Sequence, residues 1–291
     1  MNEDAPNVFE IRTGCERITI EGLTIDGGRT ANDPNVGTHA QRCGIIAIGP
    51  YNYTDGPTGK PVEHLVVRDC VIHNCFGRGV AFYAVHDGLV ANCTIEDTCE
   101  EAVDLDHFTV AARVLNNQIA RCRVGVELND ANECWVTGNC FAACEIGVNV
   151  WRWCKMGDLN VRNHIVDNLV LNTVGNGLQL DAGTQGNIVR GNIVRSSGRN
   201  GITLGGTETT ISENVIEHSG LNGIALGGNR NEITRNQISD SGVGAKQKFA
   251  GLRIRGAQNR ILDNLVLIGF GADAPVEPVA DEGEANTIRT P

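Results

Sequence analysis

A repeat of 22–24 residues runs along most of this chain and constrains its fold more than any other feature. Each repeat holds short apolar alternations separated by Asn, Gly and Ser, as in TTISENVIEHSGLNGIAL at 209–226. Because a fixed period of this length is the sign of a solenoid, the repeat decides the fold class before any local prediction. A Gly-apolar-x-apolar strand occurs once per repeat, at 79–82, 125–128, 147–150, 177–180, 201–204, 223–226 and 251–254.

Short alternating strands explain how such a repeat folds. Three strands per coil cannot bury their inner faces alone, but stacking successive coils about 4.8 Å apart buries one continuous column. The composition fits thin apolar layers, since 41% of the 291 residues are apolar and only 4% are aromatic, with 36 glycines for turns. Segments with helical periodicity are lacking. We therefore predict an all-β fold, a single-stranded parallel β-helix of about ten coils.

Two features inside the repeat are expected to be structural. Asn recurs two residues before the middle strand anchor, where it tolerates left-handed turn geometry and can hydrogen-bond along the stack. The eleven cysteines cannot all pair within the chain, and without a Cys-x-x-Cys pair they indicate small interior side chains rather than a zinc site. Cys70 and Cys93 occupy the Asn position of their coils. The recurring asparagines are Asn117, Asn139, Asn168, Asn192, Asn214, Asn236 and Asn264.

The repeated Asn-x-Ile and Gly-Ile-x-Leu signatures, as in NEITRNQI at 231–238 and GIAL at 223–226, resemble the right-handed parallel β-helix superfamily of pectate-lyase-like, carbohydrate-binding and sugar-cleaving proteins. The resemblance covers nearly the whole chain and implies a right-handed winding and a saccharide partner. It leaves the activity open, because the scaffold carries lyases, hydrolases, epimerases, tailspikes and surface proteins. It also implies a secreted or periplasmic location and, for tailspike-like members, a homotrimer. The start of the chain, MNEDAPNVFEIRTG, has neither the basic beginning nor the apolar core of a signal peptide.

The coils are predicted to form one domain, residues 1–270, followed by a C-terminal tail or partial last coil, residues 271–291. Function in a solenoid usually lies where the repeat is broken or a loop lengthens. Loop insertions interrupt the repeat at 27–43, 49–61, 151–162 and 242–250.

One outward-facing row of the Gly-apolar-x-apolar strands carries a concentration of polar groups. In the middle coils this row holds Asp, Glu, Asn and Gln, whereas its two ends are mostly small or basic. We expect the stacked strands to present this block on an exposed sheet face, with His107 beside it. The 151–162 insertion at its margin contains two of the three tryptophans. The block comprises Asp104, Asp106, Glu127, Asn129, Asn149, Gln179 and Asp181.

The spacing of these carboxylates predicts glycosidase-like chemistry. Neighbouring strands lie about 4.8 Å apart, so Asp104 and Glu127 fall near the roughly 5–5.5 Å separation of retaining glycosidases. Asp106 and Glu127 lie on a diagonal, near the roughly 6.5–9.5 Å of inverting ones. Crowded carboxylates raise at least one pKa, which gives a proton donor beside an ionised partner. Asp104 and Glu127 are the predicted acid/base or nucleophile pair, and Asp106 and His107 tune their protonation. The predicted substrate-binding residues are Trp151, Arg152, Trp153, Lys155, Asn129, Asn149, Gln179, Asp181 and Tyr83.

Other interpretations of the block stay open. Its side chains could supply the six to eight oxygen ligands of Ca²⁺, and polar residues are also the default on a solvent-facing strand. The stretch AVDLDH at 102–107 resembles the catalytic strand of mannuronan C5-epimerases, Tyr-Gly-Phe-Asp-Pro-His, with Asp104 at the position of the family's Asp. A Ca²⁺-assisted polysaccharide lyase or epimerase would use Arg152, Lys155 or His107 as base. A non-catalytic surface, adhesion or tailspike module is the third interpretation.

Charge limits the choice of partner. The formal net charge of −11 at pH 7 argues against a nucleic-acid backbone, which proteins bind through Lys and Arg. The block of acidic groups favours a neutral or Ca²⁺-assisted glycan over a polyanion. The chain has no run of 18 apolar residues that could span a membrane. We therefore expect a polysaccharide or oligosaccharide partner and no nucleic acid. The sequence requires no cofactor, and Ca²⁺ is the candidate ion.

Overall fold

The protein folds as a parallel β-helix in the computed structural model, which describes residues 7–30, 42–154, 156–157, 159–242, 249–267 and 278–289. Its strands form three long sheets in which the pairings are parallel. The chain passes from sheet to sheet and, one turn later, returns to the first sheet beside its previous strand. The predicted all-β solenoid of about ten coils is confirmed.

We number the three sheets by their order in the first coil. Sheet 1 contains Phe9–Arg12, Ile45–Ile48, Val80–Tyr83, Glu101–Asp106, Val124–Asn129, Ile146–Trp151, Leu178–Leu180, Ile202–Leu204, Ile224–Leu226, Leu252–Ile254 and Val279–Asp281. Sheet 2 contains Thr19–Glu21, Val66–Arg68, Leu89–Ala91, Arg113–Leu115, Trp135–Thr137, His164–Val166, Ile188–Arg190, Thr210–Ser212, Glu232–Thr234, Arg260–Leu262 and Thr287–Arg289. Sheet 3 contains Thr24–Asp26, Val71–His73, Thr94–Glu96, Gln118–Ala120, Cys140–Ala142, Leu169–Leu171, Ile193–Arg195, Val215–Glu217, Gln237–Ser239 and Leu265–Leu267. A further short parallel pair joins Val62–Glu63 to Val85–His86.

In-register stacking builds the apolar core. Leu105 of one coil pairs with Leu128 of the next, and both are fully buried inside the helix. Side chains alternate along a strand, so the neighbouring Asp104, Asp106 and Glu127 leave the outer face. The inner column of Ile, Val and Leu continues along the helix as one apolar cluster. The core therefore fixes which side chains of sheet 1 face outward.

Stacked asparagines run along the helix as predicted. The side-chain amide of Asn192 donates to the carbonyl oxygen of Ile165 and to Oδ1 of Asn214, both at 2.9 Å. Its own Oδ1 accepts the backbone N–H of Asn168 at 3.0 Å. All seven predicted ladder asparagines are buried. Their side chains therefore satisfy backbone groups that would otherwise be buried without partners.

Several cysteines fill small interior positions, which is the packing role that the sequence predicts. Cys70, Cys93 and Cys144 belong to the apolar core cluster. The backbone N–H of Cys93 donates to Oδ1 of Asn117 at 2.8 Å, so Cys93 continues the Asn ladder.

Two of the four predicted insertions lie against sheet 1. The 49–61 insertion contains a hairpin whose antiparallel strands are Tyr51–Asn52 and Gly56–Pro57. The 151–162 insertion continues from the last residue of Ile146–Trp151. Among the described residues, no helix has the length and apolar character needed to cross a membrane.

The other insertions are described only in part. Residues 31–41 and 243–248 lie outside the described ranges, so the predicted loops at 27–43 and 242–250 are seen only at their ends. Residues 268–277 also lie outside them. The rest of the predicted tail contributes the last strands of sheets 1 and 2, Val279–Asp281 and Thr287–Arg289.

Candidate active site

The predicted polar block converges on the outer face of sheet 1. Asp104 pairs in register with Glu127, and Asp106 pairs with Asn129. Residues distant in sequence therefore share one wall of the helix, which we call the acidic wall. The row continues in the next two coils with Asn149 and Gln179.

The acidic wall is buried, and the expectation of an exposed sheet face is wrong. Asp104 has no accessible surface, Asp106 is 3% exposed and Glu127 is 5% exposed. The physical reason is that the insertions, which strand periodicity does not describe, lie over the middle coils of sheet 1. The carboxyl groups are therefore desolvated, and this changes their protonation.

All three tyrosines of the chain surround His107. The ring centroids of Tyr51, Tyr53 and Tyr83 lie 4.9, 5.0 and 5.1 Å from that of the imidazole. Tyr51 and Tyr53 come from the hairpin, whereas Tyr83 ends a strand of sheet 1. The Tyr53 hydroxyl lies 3.4 Å from Nε2 of His107, and 55% of this tyrosine is exposed. His107 thus lies between the buried acidic wall and the solvent-exposed Tyr53 of the hairpin.

The 151–162 insertion is fastened to the same wall. The carboxylate of Asp130 accepts the backbone N–H of Trp153 at 3.0 Å and that of Cys154 at 2.9 Å. Phe108 and Cys154 belong to a small apolar cluster against which Tyr51 packs. The hairpin and this insertion therefore meet beside the acidic wall.

The predicted sugar-binding residues of this insertion differ in what they contact. Trp153 is 60% exposed, and its ring meets that of Trp151 edge to face with centroids 5.6 Å apart. Arg152, predicted to grip a sugar, donates to three carbonyl oxygens of its own loop and so maintains the loop's shape. Lys155 lies outside the described residues. Beside Trp153 lies a hollow of ≈ 370 Å³ that also touches Ala182.

The buried guanidinium group of Arg78 offsets part of the negative charge of the acidic wall. Nε of Arg78 lies 2.8 Å from Oε2 of Glu101 and also contacts Oδ2 of Asp104. The Tyr83 hydroxyl donates to the same Asp104 oxygen at 3.2 Å, so this predicted substrate-binding tyrosine belongs to the interior of the site. Glu101 also contacts Arg123. Because Glu101 and Asp104 are fully buried, these ion pairs offset part of their desolvation cost.

Burial governs the protonation of the site. Desolvation raises the pKa of Asp104, Asp106 and Glu127; Arg78 opposes the shift at the two aspartates, and neighbouring carboxylates add to it. Desolvation lowers the pKa of His107 from 6.5 to about 4, so its imidazole is neutral at pH 7. Crowded carboxyl groups cannot all ionise. Part of the wall therefore stays protonated at a pH where surface carboxylates are ionised.

Glu127 links the carboxyl groups to an amide side chain of the next coil. Its Oε2 accepts a hydrogen bond from Nδ2 of Asn149 at 2.9 Å. This hydrogen bond moderates the rise of the Glu127 pKa, which burial and the neighbouring Glu101 cause. In the following coil Gln179 donates to Asp181 at 3.0 Å, and desolvation raises the pKa of Asp181. The predicted polar residues thus form two separate hydrogen-bonded pairs beside the wall, Asn149 with Glu127 and Gln179 with Asp181.

A candidate metal-ligand set lies where two of these strands end. Asp106, His107 and Asp130 each place a ligand atom within 4.8 Å of the others, and all three residues are buried. Carboxylate oxygens and an imidazole nitrogen are ligands that divalent metals accept.

Sequence reasoning missed several contributors to the site, among them Tyr51, Tyr53, Arg78, Glu101 and Asp130. The two tyrosines carried a signal, because they lie in an insertion and are two of only three in the chain. Asp130 carried a weaker signal, since it directly follows the strand Val124–Asn129. Arg78 carried none, because its position in the repeat has no fixed residue type.

Comparisons with known proteins agree with the β-helix fold. The family described as Right handed beta helix region matches residues 10–194 and 176–273 of this chain. No protein with a curated description matches it in sequence.

Three solved structures are similar in fold. The A-module of the mannuronan C-5 epimerase AlgE4 from Azotobacter vinelandii is 14% identical, with a TM-score of 0.66; the match covers 98% of this chain and 78% of that module. PfbA, a surface adhesin of Streptococcus pneumoniae, is 10% identical, with a TM-score of 0.64 and coverage of 88% and 76%. The DFA-IIIase from Arthrobacter chlorophenolicus A6 in complex with GF2 is 13% identical, with a TM-score of 0.53 and coverage of 98% and 64%. At these identities the likeness concerns the fold alone.

Proposed function

The chain belongs to the right handed beta helix family, and from this premise we propose that it is a carbohydrate-active enzyme. It cleaves or rearranges a glycosidic linkage of a polysaccharide or oligosaccharide at the acidic wall of sheet 1. The observation that carries this proposal is the register of Asp104 with Glu127, two desolvated carboxyl groups on neighbouring strands. Adjacent strands are about 4.8 Å apart, close to the roughly 5–5.5 Å between the carboxyl groups of retaining glycosidases.

The contacts of the pair assign complementary roles. Burial raises the pKa of both carboxyl groups, but their contacts differ. The Arg78 guanidinium and the Tyr83 hydroxyl both stabilise the ionised form of Asp104, and we assign Asp104 the role of nucleophile or base. Glu127 has a neutral amide, Asn149, as its hydrogen-bond partner, and we assign it the proton that the leaving oxygen requires. Cleavage then consists of proton donation from Glu127 to the leaving oxygen as its bond to the anomeric carbon breaks. The anomeric carbon is attacked either by the Asp104 carboxylate, whose glycosyl ester water then hydrolyses, or by a water molecule that Asp104 deprotonates.

Aromatic and amide groups beside the pair suit a sugar. Tyr53 and Trp153 present exposed rings on which the apolar face of a pyranose can stack. The adjoining hollow of ≈ 370 Å³ is within the range of ligand pockets, about 300–1,000 Å³. Gln179 and Asp181 offer hydrogen bonds to hydroxyl groups. Because the wall is rich in carboxyl groups, a neutral glycan is favoured over a polyanion. Since Asp104 is fully buried, the cover must move aside for turnover.

A second candidate, a polysaccharide lyase or C5-epimerase, is favoured by one contact. The Tyr53 hydroxyl lies 3.4 Å from Nε2 of His107, and the lowered pKa of about 4 keeps this imidazole neutral and able to accept a proton. A neutral imidazole can accept the proton next to a uronate carboxylate. Because a pKa of about 4 makes it a weak base, the reaction would depend on Ca²⁺ to offset the carboxylate charge and acidify that proton. Of the other suggested bases, Arg152 is engaged by its own loop and Lys155 lies outside the described residues.

Product analysis distinguishes the candidates. The chain is incubated with a panel of neutral and uronate-containing oligosaccharides, and the products are examined by mass spectrometry and ultraviolet absorbance. Shorter saturated saccharides support cleavage by the carboxyl pair. Unsaturated uronates formed in a chelator-sensitive reaction indicate a lyase, and altered stereochemistry without a change in mass indicates an epimerase. No product from any glycan would contradict an enzymatic role and favour a non-catalytic surface or adhesion module.

A further inference from the structure

We propose that the ends of two neighbouring sheet 1 strands form a binding site for a divalent transition metal of the Zn²⁺ type. The ligands are Asp106, His107 and Asp130. The inference goes beyond the proposed function, because metal binding is measured without a saccharide and stands or fails separately from turnover.

The three side chains converge because their strands end together. Asp106 closes the strand Glu101–Asp106 and His107 follows it, while Asp130 follows Val124–Asn129 one coil later. His107 and Asp130 both have positive φ values, 44° and 55°, which turn the chain where each strand ends. One ligand atom from each residue lies within 4.8 Å of the other two. This spacing is compatible with metal–ligand bonds of about 2.0–2.2 Å after small side-chain adjustments.

An unsatisfied ring nitrogen points independently to a ligand. Nδ1 of His107 is buried and has no hydrogen-bond partner, although Oδ1 of Asp106 lies 2.9 Å away. The two atoms are close but lack the alignment of a hydrogen bond, as expected for two ligands that face a shared cation. His107 is only 8% exposed. A buried polar atom without a partner requires an explanation, and a metal ion supplies one.

Asn129 places a second unpartnered atom beside this set. Its Oδ1 is buried without a hydrogen-bond partner, and the residue is 5% exposed. Asn129 pairs in register with Asp106, so the two side chains leave neighbouring strands on the same face. A carboxamide oxygen can therefore complete a four-coordinate site.

The proposed ligands have the outer hydrogen bonds that orient metal ligands. Nε2 of His107 lies 3.4 Å from the Tyr53 hydroxyl, and the Asp130 carboxylate accepts the backbone N–H of Cys154. An ionised carboxylate has about four lone-pair sites, so Asp130 retains capacity for an ion. Since Tyr53 belongs to the hairpin and Cys154 to the 151–162 insertion, a bound ion fastens both covering segments to sheet 1.

Charge and ligand type identify the class of ion. The wall and its margin contain more carboxyl than guanidinium groups, which favours binding of a cation. Imidazole nitrogen suits transition metals, whereas Ca²⁺ takes oxygen ligands. The carboxyl groups are those of Glu101, Asp104, Asp106, Glu127 and Asp130, and the guanidinium groups are those of Arg78 and Arg123.

Two measurements on the full chain test the site after chelator treatment. Isothermal titration with Zn²⁺ should give one ion per chain, and the bound ion should raise the Tm. Loading with Co²⁺ should give visible absorption bands without the near-ultraviolet band of thiolate coordination. Such a spectrum would show that the ion is not bound by the cysteines. Asp130→Asn and His107→Gln should each weaken Zn²⁺ binding by at least about 10–100-fold, the loss that even an outer-shell partner causes.

His64→Gln is the matched control. Nδ1 of His64 lies 2.8 Å from Oδ2 of Asp87 at the surface, and among the described residues this pair belongs to no three-ligand group. The control should bind Zn²⁺ like the wild type. Absence of Zn²⁺ binding by the wild type, a thiolate band with Co²⁺, or unchanged affinity in both ligand variants would overturn the proposal. If a ligand variant does not fold, the wild-type Co²⁺ spectrum alone decides.

Discussion

Asp104 and Glu127 occupy paired positions on neighbouring strands of sheet 1, and both side chains are desolvated beneath the covering segments. Their proximity arises from the winding, because each turn returns the chain to the same sheet. The register that pairs Leu105 with Leu128 in the core also pairs the two carboxyl groups outside it. Coil stacking therefore positions the site, and changes in the core or the ladder are expected to affect it.

Replacing the buried cation should destabilise the fold. Arg78→Met leaves Glu101 and Asp104 without the guanidinium that both contact, and breaking a buried pair costs about 3–5 kcal/mol. Urea unfolding measures the loss. Arg195→Met is the control. Arg195 and Glu217 lie 2.6 Å apart and form a surface ion pair, whose removal costs about 1 kcal/mol or less. Equal losses in the two variants would show that Arg78 does not neutralise the wall.

The Asn ladder should contribute measurably to stability. Asn192→Ala leaves the buried N–H of Asn168 without its partner, and an unsatisfied buried group costs about 1–3 kcal/mol. Thermal and urea unfolding should both show the loss. Gln237→Ala, at an exposed outward position of sheet 3, should change stability by less than about 0.5 kcal/mol. A ladder variant as stable as this control would contradict the assigned role.

Removing the exposed tryptophan should weaken saccharide binding with little effect on kcat. Trp153→Ala loses a stacking surface worth about 0.5–1.5 kcal/mol, a rise in KM of roughly twofold to tenfold. Trp135→Ala is the comparison, because Trp135 is 42% exposed but stacks on His164 in sheet 2, away from the acidic wall. Steady-state kinetics on the saccharide that the wild type converts separates the two. Equal KM values in both variants would argue against a sugar platform at Trp153.

The protonation of Glu127 predicts how stability depends on pH. Its pKa in the folded state is raised above the ordinary 4.5, so the folded state binds the proton more tightly than the unfolded state. The stability that this contributes is fully present below about pH 4.5 and is lost as pH rises through the folded pKa. Glu127→Gln removes this dependence. The free energy of unfolding of the variant relative to the wild type should therefore increase from about pH 4.5 toward neutrality.

The Glu127→Gln variant must be compared with the wild type, because the contribution of His107 to stability depends on pH with the opposite sign. Its pKa is lowered from 6.5 to about 4, so its contribution is present above pH 6.5 and is lost as pH falls toward 4. Both proteins retain His107, and its contribution cancels in the difference. Urea unfolding at a series of pH values measures that difference. A difference that is constant, or that decreases as pH rises, would contradict the raised pKa of Glu127.

The winding and the register could be predicted from sequence because both follow from local periodicity. Alternating apolar residues and regularly spaced asparagines are consequences of one coil, and their period alone brings Asp104 beside Glu127. The outward direction of these side chains follows from the same alternation, since Leu105 and Leu128 must face the core.

The positions of the covering segments, the 49–61 hairpin and the 151–162 insertion, could not be predicted, because an insertion does not follow the sequence repeat. Tyr51 and Tyr53 take their places through contacts with His107 and Phe108, which no spacing in the sequence encodes. For the same reason polar residues on an outward strand were expected to face solvent. Arg152 shows a related limit, because its charge suggested a sugar contact but did not indicate the hydrogen bonds that it donates to three carbonyl oxygens of its own loop.

The kcat values of Asp104→Asn and Glu127→Gln, on the saccharide that the wild type converts, test the central claim most directly. If the paired carboxyl groups perform the chemistry, each substitution should lower kcat by about 10²–10⁴-fold while circular dichroism stays unchanged. The double variant should fall little further, because the two groups act as a unit. Glu217→Gln, at the surface pair with Arg195, should retain the wild-type kcat. Wild-type kcat in either folded single variant would contradict the account.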